Sequence, residues 1–314
     1  KFMKQGKIVV VMGGPSSEAE VSRRTGAAIV NALESKGYAV EGMELDPPHF
    51  AEAIRKSDCA IVFNALHGRY GEDGVLQGTL DMLGIPYTGS GVLAAAVTMD
   101  KVMSKRVFLG AGISTPRSET FHRFEFDAEL PSRIRKAFSL PVVIKASSQG
   151  SSIGVAIVEK EEELEAALKD AFRYDEEVLV EEFIRGKELT VAVWGDAREA
   201  QAFPVIEITT VSGRYDYASK YTKGASTHII PARIPSEVTE RVQQLAVDAF
   251  RACGCRGVAR ADMMLGEDMT PYVIEINSMP GMTETSLVPD AGRAMGVEFP
   301  ELCERILEMA GYEK

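Results

Sequence analysis

Two short runs in the carboxyl-terminal third carry acids, an arginine and an amide at spacings that a hairpin would bring together. One is Arg260-Ala261-Asp262, within a strand candidate at 258–265. The other is Glu275-Ile276-Asn277, within a strand candidate at 272–277, and the turn Gly266-Glu267-Asp268-Met269-Thr270 separates them. Side chains alternate along a strand, so Arg260 shares a face with Asp262, and Glu275 with Asn277. A turn symmetric about Asp268 and Met269 sets Asp262 opposite Glu275 and Arg260 opposite Asn277. The interleaved Ala261, Met263, Ile274 and Ile276 are apolar, which assigns the other face to a core. Two carboxylates directly across a ladder repel. An all-oxygen set of Asp, Glu and Asn suits Mg²⁺ shared with phosphates. The competing reading is a solvated acidic face with Arg260 as a surface partner. The next residues, Ser278-Met279-Pro280-Gly281-Met282, hold a turn able to present backbone N–H groups to an anion.

Other candidates for anion chemistry lie upstream. Lys145 ends the apolar run Pro141-Val142-Val143-Ile144, and the loop Gly150-Ser151-Ser152-Ile153-Gly154 follows. Its serines and glycines suit a phosphate cover, or a plain hairpin loop. It is not a Walker A loop, because no Gly-Lys-Ser/Thr follows, and Gly13-Gly14 lacks the GxGxxG pattern. Lys145 reads either as a phosphate or purine ligand or as a lysine reaching to solvent. Lys101 stands in the first turn of a helix at 100–109, where the helix dipole disfavours a cation unless an anion binds beside it. Glu181 and Glu182 end a strand, and Glu188 follows a turn at Gly186; they suit a ribose or an amine, or exposure. Ser17-Glu18-Ala19-Glu20 fits a capping box, with Ser17 as cap and Glu20 three residues later. The alternative has Glu20 facing a site and holding a substrate ammonium.

The elements that must carry these residues change character along the chain. In the first third, strands at 8–12, 59–66 and 85–88 alternate with helices at 17–36 and 75–83, which predicts a parallel sheet with helices packed on it. Ligands bind beyond the carboxyl ends of such strands, where Gly13-Gly14 and His67-Gly68 fall. The middle reads as a small α+β unit, with strands at 142–146, 155–158 and 178–183 and a helix at 161–172. The last third holds strands at 188–194 and 202–208, a polar loop at 212–227, a helix at 236–253, the acidic hairpin and terminal helices. The fold class is therefore α/β and α+β, and 314 residues suggest two or three domains.

Composition narrows the function classes. Lys and Arg number 35 and Asp and Glu 46, a net charge of −11, which argues against nucleic acid or an anionic membrane as partner. A small phosphate ligand needs only local cations. Cys59, Cys253, Cys255 and Cys303 form neither a zinc pattern nor a disulfide framework and read as reduced thiols. No apolar run is long enough to span a bilayer, and Lys1-Phe2-Met3-Lys4 has no apolar signal region, so a cytoplasmic location is expected.

Taken together, the motifs resemble the D-alanine–D-alanine ligases of the ATP-grasp superfamily, over about residues 8–310. The matching segments begin with Gly13-Gly14, Ser17-Glu18-Ala19-Glu20-Val21-Ser22, Ala65-Leu66-His67-Gly68 and Gly71-Glu72-Asp73-Gly74. They continue with Tyr87-Thr88-Gly89-Ser90-Gly91, Met99-Asp100-Lys101 and Gly150-Ser151-Ser152-Ile153-Gly154. They end with Tyr215-Asp216-Tyr217-Ala218-Ser219-Lys220-Tyr221, Arg260-Ala261-Asp262, Glu275-Ile276-Asn277 and Pro280-Gly281-Met282-Thr283. The resemblance implies a three-domain ATP-grasp architecture with an N-terminal open parallel-sheet domain, divided at 1–98, 99–185 and 186–314. It implies ATP-dependent joining of two D-alanines through D-alanyl phosphate for peptidoglycan precursors, in a cytoplasmic homodimer that uses two Mg²⁺ ions, with Mn²⁺ as the alternative.

Position by position, Lys101, Lys145, Ser151, Glu181, Glu188 and Lys220 are implied ATP ligands, and Asp262, Glu275 and Asn277 metal ligands. Glu20 and His67 fall to the first D-alanine, with Ser151 and Tyr221 as partners of Glu20. Arg260 and the Gly281 backbone fall to the oxyanion, and Ser286 and Leu287 to the second D-alanine's carboxylate. The sequence departs from the family pattern at Ala19, Ser148 and Gln149, where the family often has Arg, Arg and Glu; this bears on closure of the covering loops. A D-alanine–D-lactate ligase or another ATP-grasp carboxylate–amine ligase is the rival activity, and a non-catalytic binding protein the rival class.

Overall fold

The computed structural model describes residues 6–150, 153–210, 226–283 and 285–312. Its strands form three sheets. In the first, β1 (Lys7–Met12) lies between β2 (Val40–Glu44) and β3 (Cys59–Asn64), and both neighbours run parallel to it. Ile8 to Val11 are all buried because helices cover both faces. Val9 and Val11 pack with Phe50, Ile54, Leu76 and Leu80, whereas Ile8 and Val10 pack with Ile29, Leu33, Leu302 and Ile306. The chain's last helix (Phe299–Glu308) thus closes the first sheet. Lys36 ties it down through Glu301 at 2.9 Å and Glu304 at 2.7 Å.

The expected strand at 85–88 is reduced to Tyr87, which bridges Val62 and Gly311; Pro86 has no N–H to extend a ladder. Sequence reading also passed over β2 and the short helix Phe50–Lys56, which carry little periodic pattern.

Helix α1 (Ala19–Ser35) corrects the capping-box expectation. Glu18 is its N-cap and no side chain caps it. Ser16, not Ser17, organises the turn: its hydroxyl accepts from the Glu18 N–H at 3.0 Å and donates to the His67 carbonyl at 2.8 Å.

The second sheet is antiparallel, in the order β4 (Ser118–His122), β7 (Glu177–Glu182), β5 (Val142–Ala146), β6 (Val155–Val158). Leu130, Ile134, Leu164 and Leu168 from two helices cover one face. The third sheet runs β11 (Ser226–Ile229), β10 (Ile206–Thr210), β8 (Gly186–Gly195), β12 (Gly257–Gly266), β13 (Pro271–Asn277), with β9 (Gln201–Ala202) beside β8. The helix Ser236–Ala252 lays Val242, Ala246 and Phe250 on Val191, Val193, Ala259 and Ala261 of this sheet.

Two helices join the first sheet to the second, Val92–Met99 and Lys101–Gly110. Asp100 caps the latter by accepting from the Met103 N–H at 2.8 Å. No helix among the described residues is long and apolar enough to cross a membrane.

Candidate active site

A cleft of about 2400 Å³ opens where the sheets meet, and it is lined from β5, β7, β8, β12, β13 and the loops beyond β3 and α1. It is larger than the roughly 300–1000 Å³ typical of a single small ligand, so it has room for more than one.

The hairpin stands on one wall. Asp262 pairs with Glu275 and Arg260 with Asn277, the expected register. The turn is not the symmetric one, however. Met263 pairs with Val273, and the register shifts between Asp262 and Met263, leaving Ile274 as an extra residue. Ala261, Met263 and Ile276 are buried as expected, but Ile274 is only half-buried.

Arg260 grips Asp262 with both arms of its guanidinium, Nε at 2.7 Å and Nη2 at 2.6 Å. Thr190 from β8 donates to the same carboxylate at 2.6 Å. Lys101 approaches Glu275 at 3.8 Å and donates to the Gln149 carbonyl at 2.6 Å. The Asn277 side-chain oxygen accepts from the Met279 N–H at 3.0 Å.

Among the described residues no group of three or more His, Cys, Asp or Glu side chains is poised to hold a metal. The candidate set is two carboxylates and one amide oxygen. Its chemistry, hard oxygen donors paired across one ladder, fits Mg²⁺.

On the wall formed by the second sheet, Glu181 is 1 % exposed. Lys145 and Lys105 each stand 2.5 Å from its carboxylate. Burial pushes this carboxyl up, but Lys145 and Lys105 together pull it further down, below the ordinary range. Glu188 lines the same cleft from the start of β8. Glu207 is buried nearby between Arg233 at 2.7 Å and Lys187 at 2.9 Å.

Ser148 and Gln149 both turn to Asp175, which accepts from the Ser148 N–H at 2.9 Å and hydroxyl at 2.5 Å and from the Gln149 amide at 3.4 Å. At 148 and 149, where the sequence departs from the family pattern, the contacts to this carboxylate are thus made by neutral donors.

At the first sheet's edge the structure sets Glu20, the acid expected to hold the ammonium, apart from its neighbour Glu18. Glu18 lines the cleft beside His67 and Glu72. Glu20, the expected ligand, is 77 % exposed and stands 3.5 Å from Arg23 on the outside of α1, off the cleft wall. The cause is the helix start at Ala19, which turns Glu20 outward and leaves Glu18, the cap, facing inward.

Of the two turns beyond the strands, only His67-Gly68 reaches the cleft. The Gly13 and Gly14 N–H groups are taken by Ser22 at 2.8 Å and Glu44 at 3.2 Å. Burial lowers the His67 pKa and so favours the neutral ring, and its Nε2 lies 3.2 Å from the Thr25 hydroxyl. Burial and then the Glu18 charge push Glu72 up to about 8, with its carboxylate accepting from the Gly68 N–H at 2.5 Å.

Opposite them, Gly281, Ser286 and Leu287 line the cleft at the start of the helix Leu287–Ala294. The Ser286 hydroxyl accepts from the Thr283 N–H at 3.0 Å and lies 2.7 Å from the Thr283 hydroxyl. Ser151, Lys220 and Tyr221 lie outside the described residues.

Two family models match the chain. The model described as "D-ala D-ala ligase C-terminus" matches residues 107–308, and that described as "D-ala D-ala ligase N-terminus" matches 39–90. A D-alanine–D-alanine ligase of Desulforudis audaxviator is 49 % identical over 305 residues, covering 97 % of this chain and 98 % of the relative. The chain belongs to the D-alanine–D-alanine ligase family.

Among solved ligases, the Bacillus anthracis D-alanine–D-alanine ligase complexed with ATP is 34 % identical, with a TM-score of 0.82 and 97 % of both chains covered. The VanG D-Ala:D-Ser ligase of Enterococcus faecalis is 32 % identical, with a TM-score of 0.83, covering 96 % of this chain and 98 % of that one. The three-sheet architecture is thus that of the ATP-grasp ligases.

Three residues that sequence reading gave no role stand at or behind the cleft: Glu18, Glu72 and Lys105. Glu18 and Glu72 lay inside quoted motifs, so the motifs held the signal. Lys105 had only its spacing, four residues after Lys101 and so on the same helix face.

Proposed function

We propose that the protein joins two D-alanines at the expense of ATP, releasing ADP and phosphate, and that it supplies the dipeptide for peptidoglycan precursors. The observation that carries this reading is the hairpin pairing of Asp262 with Glu275 in a cleft that also holds Lys101 and Lys145. That arrangement suits a magnesium nucleotide on one side and amino-acid substrates on the other.

The chain falls into the units 1–98, 99–185 and 186–314. In support, each of the three sheets lies within one of them.

The chemistry follows from the side chains. Glu18 holds the ammonium of the first D-alanine, with His67 beside it. The carboxylate of that D-alanine attacks the γ-phosphorus of ATP, the bond to the ADP oxygen breaks, and D-alanyl phosphate forms. Lys101 and Lys145 hold the phosphates in line, which is the positioning that phosphoryl transfer needs. Glu181 and Glu188 bind the adenine and ribose side. Asp262, Glu275 and Asn277 would hold Mg²⁺, which when bound neutralises charge on the transferring phosphate.

The neutral amine of the second D-alanine then attacks the acyl carbon. Arg260 and the Gly281 N–H stabilise the oxyanion, and as the nitrogen sheds one proton the phosphate leaves with that proton and with one oxygen from the first carboxylate. Ser286 and the Leu287 N–H, at a helix amino terminus, bind the second D-alanine's carboxylate.

Family membership supports a cytoplasmic homodimer. Met82 at 90 % and Leu93 at 71 % exposure, on neighbouring helices of the first unit, offer apolar surface for a second copy. Carboxylate oxygen labelling tests the chemistry: ¹⁸O in the first D-alanine should appear in the released phosphate. Phosphate free of label would exclude an acyl phosphate.

A further inference from the structure

The buried cluster around Glu181 contains one carboxylate and two lysines, and the lysines are not equivalent. Lys145 lines the cleft, and Lys105 does not. Lys105 is 4 % exposed and meets three groups: the Glu181 carboxylate at 2.5 Å, the Thr115 hydroxyl at 2.7 Å and the Pro116 carbonyl at 3.0 Å. The Thr115 hydroxyl spends its hydrogen on the Val273 carbonyl at 2.8 Å, so towards Lys105 it can only accept. Two of these neighbours accept its hydrogens, and the third is a buried carboxylate, whose charge calls for an ammonium rather than a neutral amine beside it. Burial lowers the Lys105 pKa, but this geometry keeps the proton in place.

Two cations on one anion leave the cluster with a surplus positive charge. Lys105 cannot carry that surplus to a ligand. It is held by Thr115 and Pro116 and linked through Thr115 to β13, two residues before Glu275. Lys145 can, because it stands at the cleft wall.

We propose that Lys105 is the fixed counter-ion of Glu181, a positioning residue that keeps this carboxylate ionised while Lys145 turns to a nucleotide phosphate. Without it, Lys145 would be the sole partner of a buried carboxylate, and leaving would strand an uncompensated charge. The proposal rests on the ATP-dependent reading above and deepens it.

The test compares the dissociation constants of adenosine and ATP, measured by calorimetry on the full chain. Their ratio reports the gain from phosphate contacts. In Lys105→Met the ratio should fall about tenfold or more, the loss of one charge-assisted contact, while adenosine binding changes by less than about threefold. Adding Glu181→Gln to that variant should restore the ratio, because Lys145 is no longer held. An unchanged ratio in Lys105→Met, equal weakening of adenosine and ATP, or no recovery in the double variant would each overturn the proposal. If Lys105→Met does not fold, Glu181→Gln alone decides: its ratio should hold or rise, and a fall overturns the assignment. A wild-type chain that binds ATP no better than adenosine would instead contradict the ATP-dependent reading itself.

Discussion

Asp262 and Glu275 face each other directly across the β12–β13 ladder, with Arg260 gripping the first and Lys101 at 3.8 Å from the second. Two acids so placed raise the energy of the sheet unless cations balance them, and Mg²⁺ on the same oxygens would complete that balance. Glu275→Ala should lower kcat by about 100-fold or more, since metal-borne charge stabilisation amounts to several kcal/mol. Mg²⁺ with nucleotide should raise the Tm of the wild-type chain by mass action and leave the variant nearly unmoved. Near-normal dipeptide synthesis by the variant would remove Glu275 from the metal set.

Glu18 and Glu20 make a paired test of the first D-alanine site. Glu18→Gln should raise the KM for the first D-alanine about tenfold or more, the loss of a charge-assisted bond to an ammonium. Glu20→Gln should stay within about twofold, because Glu20 is exposed and turned to Arg23. Steady-state kinetics on both variants check this, and the reverse pattern would return the role to Glu20.

These two residues also show where sequence reading reached its limit. Both acids sit in one motif, and only the helix start at Ala19, which the motif does not fix, decides which faces inward. The hairpin was legible because strand alternation has period two and the core residues between the polar ones were apolar. Its register at Asp262 and Glu275 agreed even though the turn did not, since the extra residue at Ile274 made up the difference. Lys105 was not legible, because nothing in a helix sequence tells a buried lysine from a surface one. The raised pKa of Glu72 comes from burial and from acids distant in sequence, and only the assembled cleft brings them together.

The proposed anion site at Gly281 can be probed by adding one carbon. A Cβ there would stand 3.0 Å from the Ser286 hydroxyl oxygen, so Gly281→Ala must displace Ser286 or the turn. The KM for the second D-alanine should rise about tenfold, while that for ATP stays within about twofold, because Ser286 is proposed to hold only the second substrate. Equal changes in both constants would point to a general loosening of the turn instead.

Acid stability has a specific contributor in Glu207. Arg233, with Lys187 behind it, holds this carboxyl down to about 2 from an ordinary 4.5. A lowered folded-state value means that the pair stabilises the fold above about pH 4.5, and that this contribution is lost as pH falls towards 2. Glu207→Gln should therefore destabilise by about 1.5–3 kcal/mol at pH 7, with the gap from wild type narrowing below pH 4.5. Denaturant unfolding across that range measures it, and a gap independent of pH would show that Glu207 acts through packing alone.

The central claim, that this cleft spends ATP on joining two D-alanines, meets its most direct test in one assay. ADP release is followed with MgATP and increasing D-alanine, and the product is identified by mass. The account predicts ADP release that depends on D-alanine, with one D-alanyl-D-alanine formed per ADP and D-lactate a poor second substrate. ADP release indifferent to D-alanine, or an ester with D-lactate formed as readily as the dipeptide, would contradict it.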